Sequence, residues 1–116
     1  MIDKISFEDF KKIEIKIGKI VAAEKIEKSD KLLKLEVDFG DPSTSSGLGR
    51  RQIVSGIAND YDSESLVDKS FVFITNLESR QIMGLESQGM ILAADVEGHA
   101  ILLEPNQEVN PGTLVR

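Results

Sequence analysis

Four apolar side chains set two residues apart, Leu33, Leu35, Val37 and Phe39, alternate with Lys34, Glu36 and Asp38. A period of two places one set on each face of an extended chain, so the segment reads as a half-buried strand. The same period runs through Ile13, Ile15 and Ile17, with Glu14 and Lys16 between them. Gly18 breaks the phase, and Ile20-Val21-Ala22-Ala23 resumes it in another register. A glycine inside a strand commonly marks a bend or bulge. A long first strand bent at a glycine and followed by an amphipathic second strand is what a small, highly curled barrel needs.

The remaining elements agree with that reading. A charged hinge, Glu24 to Lys31, joins the first two strands. Arg51–Ile57 reads as a third strand, and Phe71–Ile74, nearly all apolar, as a buried fourth. Met90–Ala94 reads as a fifth and Ile101–Leu103 as a short sixth, with a final turn at Pro111-Gly112. Ser6–Phe10 is expected to be a short helix with Ser6 as N-cap and Glu8 and Asp9 in the first turn. Phe7 and Phe10, three apart, share one face and are expected to cap the core; the other use of that face is contact with a second subunit. Ser63–Val67 reads as one helical turn capped by Ser63. Gly40–Gly49, Ser/Gly-rich and poor in apolar residues, is expected to be a hairpin loop and not a domain linker. Five or six strands with one helical turn between the third and fourth is the layout of a five-stranded Greek-key OB barrel. The fold class is therefore mostly β with short helices, and 116 residues are expected to make a single domain, 1–116.

Composition excludes several kinds of chemistry. There is no Cys, hence no disulfide framework, thiolate metal site or thiol nucleophile. His99 is the single histidine, so no multi-histidine metal site can form within one chain. No glycine-rich phosphate loop ends in Lys-Ser/Thr, and Gly47-Leu48-Gly49 is too short for a dinucleotide fingerprint. Carboxylate pairs such as Asp60/Asp62 and Glu8/Asp9 read as solvated surface, and His99 as an exposed turn residue. No cofactor, metal site or catalytic constellation is expected. No apolar run approaches the ~20 residues that span a bilayer. No segment has the shape of a signal peptide, so the expected compartment is the cytoplasm.

One stretch is far more specific: Asn76-Leu77-Glu78-Ser79-Arg80-Gln81-Ile82-Met83-Gly84-Leu85-Glu86-Ser87-Gln88-Gly89-Met90, continuing Ile91-Leu92-Ala93-Ala94. It resembles the signature of the tRNA-binding domain family: Asn-Leu, a Lys-Pro-Arg-Lys-like stretch, then Gly, Ser, Gly-Met and Ala-Ala. This domain is found at the C-terminus of methionyl-tRNA synthetases, as a free-standing tRNA-binding protein, and in the endothelial monocyte-activating polypeptide. Phe7–Ile13 is similar to the family's opening helix and Ile15–Val21 to its first strand. Ser29–Leu35 with Val37–Gly40, Gln52–Ile57 with Tyr61, and Pro111–Val115 match further segments in order, across nearly the whole chain.

The resemblance implies an OB fold without catalysis of its own. It also implies homodimerisation, with the N-terminal helix and C-terminal strands suggested as the interface, and recognition of the outer corner of tRNA by shape. The partners implied are tRNA, a second copy, and a methionyl-tRNA synthetase catalytic domain in cis or trans, assisted through effective concentration. OB barrels take up nucleic acid on the face of strands 2 and 3 and the flanking loops. Lys34 and Arg51 lie on those strands, Lys31 and Arg50 at their edges. Ser55, Asn76, Arg80 and Ser87 are the further polar positions carried over, with Met90 against a sugar or base edge. Asn76 and Ser87 suit a phosphate or a 2′-OH.

The sequence departs from the family in one respect. Where the family has Lys-Pro-Arg-Lys, this chain has Glu78-Ser79-Arg80-Gln81, and the formal net charge is −6. The charge balance runs from 0 over residues 1–40 to −2 over 41–80 and −4 over 81–116. Binders of nucleic acid are usually basic. The competing expectation is therefore a protein-interaction or dimerisation module, chaperone-like or scaffolding, with weakened or lost RNA binding.

Overall fold

The computed structural model describes residues 3–40 and 50–116; most of the Gly40–Gly49 loop, residues 41–49, lies outside the described residues. Helix α1 (Phe7–Phe10) begins at Ser6, whose hydroxyl accepts from the Asp9 N–H at 3.0 Å. Strand β1 (Ile15–Lys25) leads to β2 (Leu33–Asp38) and β3 (Arg50–Ser55), then α2 (Ser63–Leu66) and β4 (Ser70–Ile74). A hairpin of β5 (Arg80–Ile82) and β6 (Leu85–Ser87) follows, then β7 (Met90–Ile91). A second hairpin, β8 (Ala93–Val96) and β9 (His99–Leu102), and β10 (Leu114–Val115) complete the chain.

The main sheet has the order β3-β2-β1-β4-β7, with β10 added along β1. All its pairings are antiparallel. Closure falls between β3 and residues 86–89, and it is made largely by side chains. Gln88 N–H donates to the Gln52 carbonyl at 2.8 Å. The Gln52 N–H donates to Gln88 Oε1 at 3.1 Å, and Gln52 Nε2 to the Glu86 carbonyl at 2.8 Å. Val54 N–H donates to Ser87 Oγ at 3.0 Å. The fold is mostly β, a nearly closed barrel-like sheet with a few short helices, as the alternation and the resemblance predict.

The alternating residues of β2 behave as their spacing dictates: Leu33, Leu35, Val37 and Phe39 are buried and join Ile20, Ile53 and Phe73 in the core. Phe39 and Phe73 meet edge to face, centroids 5.4 Å apart at 87°, a favoured aromatic geometry. Gly18 serves a different purpose from the one its place in the strand suggests. The register shift falls between Ile20 and Ala22, whereas β1 runs unbroken through Gly18. A Cβ on Gly18 would stand 2.6 Å from both Phe39 and Val37, so the glycine is there for close packing. Gly112, at φ +89°, lies with its α-carbon against the Phe39 carbonyl, which fixes the Pro111-Gly112 turn against the end of β2.

Several expectations change. Phe7 and Phe10 do share a face, with centroids 6.4 Å apart, but α1 buries no residue and Phe7 is 70% exposed; neither caps the barrel core. The N-cap of α2 is Asp62 rather than Ser63, and it caps without a side-chain hydrogen bond. The expected fifth strand divides at Leu92, because β7 pairs with β4 while β8 turns away to pair with β9. The expected sixth strand is that partner, β9. The β5–β6 hairpin fills the stretch between the expected fourth and fifth strands, to which the alternation assigned no element.

Candidate nucleic-acid interface

On β1, β2 and β3 the side chains that miss the core face outward over a groove of about 350 Å³. Lys34, Glu36, Arg50 and Gln52 line it, with Ala22 and Glu24 from β1. Lys34 Nζ lies 2.5 Å from Glu24 Oε1, and Arg50 Nη1 lies 3.6 Å from Glu36 Oε1. Lys34 and Arg50 are thus ion-paired within the chain, whereas Arg51, the third cation of the lining, makes no ion pair among the described residues. Lys31 and Ser55 stand at the same end of this face, since Leu33 pairs with Ser55 in register. The Lys31 carbonyl accepts from Ala58 N–H at 2.9 Å, while its ammonium makes no ion pair among the described residues.

The β5–β6 hairpin extends the face past β3. Arg80 is opposite Ser87 in register, and Ser87 bonds to Val54 of β3. Arg80 is exposed and has no carboxylate partner among the described residues. The turn at its tip has Met83 and Gly84 at φ 52° and 80°, both left-handed, as a two-residue type I′ connection requires. Met83 is 54% exposed and Met90, on β7 opposite Ile74, is 43% exposed.

Three of the sequence-derived site residues have their polar groups engaged within the chain. Asn76 Oδ1 accepts from Glu14 N–H at 2.7 Å and its Nδ2 donates to the Lys12 carbonyl at 2.5 Å, which clamps the α1–β1 junction. Ser87 is 4% exposed; besides accepting from Val54, its hydroxyl donates to the Gly89 carbonyl at 3.1 Å. Arg51, which also lines the groove, is held by main-chain carbonyls. Its Nη1 donates to the Thr75 carbonyl and, at 3.5 Å, to that of Gln88, and its guanidinium lies 5.7 Å from the Phe39 ring centre. Arg51 therefore ties β3 to the end of β4 and to the turn before β7. Lys31, Lys34, Arg50, Ser55 and Arg80 fall on one connected surface, whereas Asn76 stands at the α1–β1 junction.

Residues that sequence reasoning passed over also hold this frame. Asp60, read as solvated surface, has an 18% exposed side chain; it accepts from Ala100 N–H at 2.9 Å and meets His99 Nδ1 at 2.8 Å. The Ala100 N–H, and then His99, hold its carboxyl below the ordinary value. Tyr61 accepts from Leu102 N–H at 3.1 Å, so the β8–β9 hairpin is pinned to the 57–61 turn at two points. As the only Tyr in an aromatic-poor chain, Tyr61 carried a signal: a partly buried tyrosine hydroxyl usually finds a partner. Gln52 and Gln88 carried none. Glu14 takes the Thr75 hydroxyl at 2.5 Å, which holds its carboxyl below the ordinary value; burial opposes this and Lys16 supports it.

Among the described residues no group of His, Cys, Asp and Glu has the geometry to hold a metal ion, and no helix is long and apolar enough to cross a membrane. The family model described as "Putative tRNA binding domain" matches residues 15–114, from the first residue of β1 into β10. The chain belongs to the tRNA-binding domain family. It is 51% identical over 113 residues to a methionine–tRNA ligase of Archaeoglobus fulgidus and 53% identical over 112 residues to that of Methanosphaerula palustris. Each alignment covers 97% of this chain and 16% of the ligase, so the chain spans about one-sixth of the length of these relatives. The solved structure of a methionyl-tRNA synthetase-related protein from Pyrococcus horikoshii superposes with a TM-score of 0.88 at 37% identity, covering 99% of this chain and all of that one. The chaperone CsaA of Bacillus anthracis superposes at 0.84 with 29% identity, covering 98% of this chain and all of that one.

Proposed function

We propose that this tRNA-binding domain works as a non-catalytic module that binds the outer corner of tRNA by shape and assists methionyl-tRNA synthetase, in cis or trans, in the cytoplasm. The observation that carries the reading is the family match over residues 15–114, which takes in the whole groove and the hairpin beside it. Lys31, Lys34, Arg50 and Arg80 contact phosphates, with Ser55 and Met90 beside them. Asn76, Arg51 and Ser87 act on RNA indirectly, by holding the frame. The module acts as a homodimer through α1 and the C-terminal strand, where Phe7, Phe10, Ile13, Leu114 and Val115 line an apolar surface hollow of about 470 Å³. Phe7, Ile13 and Leu114 are 70%, 41% and 49% exposed in the single chain, and a twofold contact there covers them. Filter binding with bulk tRNA at low salt tests the reading. Retention in the micromolar range that weakens with salt is expected. No retention below ~100 μM, the weak end of ordinary non-specific binding, overturns it.

The likeness to CsaA at a TM-score of 0.84 favours a second reading, a dimeric protein-interaction module. Light scattering with tRNA titration separates the two: a dimer that ignores tRNA selects the second.

A further inference from the structure

The outer face of β1, β2 and β3 is charged but self-neutralising. Register places Lys19, Asp38 and Arg50 in one row across the strands and Glu24 and Lys34 in another, with Glu36 between them on β2. Three cations face three carboxylates. Within this set Glu24 holds Lys34 at 2.5 Å and Glu36 reaches Arg50 at 3.6 Å, and all four side chains are at least one-third exposed. Ion pairs this exposed add little to folding stability, so the barrel does not need either glutamate. Both nevertheless line the groove.

We propose that Glu24 and Glu36 set the groove's affinity for RNA by occupying Lys34 and Arg50, so that a phosphate enters only by displacing a carboxylate. The inference rests on the tRNA-binding reading and adds to it how that binding is limited. A phosphate that docks on a free cation releases its condensed counterion, which gives the salt dependence of nucleic-acid binding. A phosphate that displaces a glutamate also releases one, but the freed carboxylate gathers another from solution. Net ion release at Lys34 and Arg50 is then near zero. The salt dependence of the native chain comes from Lys31 and Arg80, whose log–log slope should be about −1.4 to −1.8 per protomer at 0.7–0.9 per contact. With both glutamates neutralised, four cations contribute and the slope should steepen to about −2.8 to −3.6.

The test is a set of tRNA filter titrations over a salt series for the native chain, Glu24→Gln, Glu36→Gln and the double variant. Glu108→Gln, an exposed acid away from the groove, controls for net charge, and thermal melts confirm that each variant folds. We expect about threefold tighter binding per substitution at low salt, about tenfold for the double, and the steeper slope, with Glu108→Gln near the native values. Native-like affinity and slope in the double variant overturn the inference while leaving the tRNA reading intact. Tighter binding with an unchanged slope, or an equal gain in Glu108→Gln, overturns it as well, because displacement is then not the cause. If neither the native chain nor any variant retains tRNA at low salt, the functional reading fails and takes this inference with it.

Discussion

Replacing Ser87 by Ala separates a frame residue from a ligand contact. The hydroxyl accepts from the Val54 N–H, which points away from β2 at the seam of the barrel, and Val54 is only 6% exposed. Alanine removes one oxygen and opens almost no cavity, so the effect is that of an orphaned buried donor, about 1–3 kcal/mol. The Gly89 carbonyl, which also loses a partner, adds less because an acceptor with two lone pairs tolerates partial satisfaction better. For a chain of this size each kcal/mol moves the melting temperature by roughly 4 °C, so Ser87→Ala should melt about 4–12 °C lower. Far-UV circular dichroism is the suitable probe, since the chain has no Trp and one Tyr. Hydrogen exchange at the Val54 amide should accelerate more than exchange at β1 amides. Well below the melt, tRNA affinity should change little. A melt within 1 °C of native together with a tenfold loss of affinity would refute the reasoning and make the hydroxyl a direct RNA contact.

Further substitutions address other parts of the frame. Gly18→Ala places a Cβ at 2.6 Å from Phe39 and Val37; over-packing of this kind costs about 1–3 kcal/mol, read as a lower urea midpoint with unchanged m. Arg51→Lys retains the charge but not the planar guanidinium that lies over Phe39 and whose Nη1 reaches two carbonyls, so it should destabilise by about 1–2 kcal/mol with little change in the salt slope of tRNA binding. Asp60 and Glu14 have folded-state pKa values below their ordinary ones, so in that window the unfolded chain binds more protons and stability rises with pH. Their contribution is complete above the ordinary carboxylate range and is lost as pH falls through the lowered values; Asp60→Asn should therefore flatten the melting temperature against pH below about pH 5, by thermal melts from pH 3 to 7.

How much was legible beforehand depended on what enforced each feature. The strands of the barrel were readable because burial acts on alternate residues and leaves a period of two, as in Leu33 to Phe39. The helix N-cap at Ser6 was readable because capping is local. The fate of Phe7 and Phe10 was not: an apolar pair on one helical face has the same sequence pattern whether the barrel covers it or nothing in the chain does. The break at Leu92 escaped notice because Met90–Ala94 is apolar throughout, and only the partners of β7 and β8, β4 and β9, distinguish them. The closure by Gln52, Ser87 and Gln88 was hidden for a different reason. A polar side chain that replaces a ladder hydrogen bond is indistinguishable in sequence from one that meets solvent. The connected cationic surface was legible in its members, since family resemblance marked them, but not in its pairing, because Glu24 and Glu36 are brought to Lys34 and Arg50 by register.

The division of labour within residues 76–94 bears on how strong such a module should be. Asn76, Ser87 and Gln88 are engaged in holding α1, β1, β3 and the hairpin together, so the free cation in that stretch is Arg80. With Lys34 and Arg50 ion-paired and a net charge of −6, the isolated module should bind weakly at physiological salt, near the ~100 μM end of non-specific affinity, and reach the micromolar range only at low salt. Weakness is compatible with the proposed task. A module joined by a short flexible linker to a catalytic domain sees tRNA already held there at an effective concentration of about 1 mM. Against a Kd near 100 μM that raises the affinity of the whole by about tenfold, enough to favour capture. A module that bound in the nanomolar range alone would add several further orders of magnitude and keep charged tRNA from leaving, since differences in affinity among related complexes lie mostly in the off-rate. Neutralising Glu24 and Glu36 in a synthetase carrying this module should therefore tighten tRNA binding and, where product release limits turnover, lower kcat.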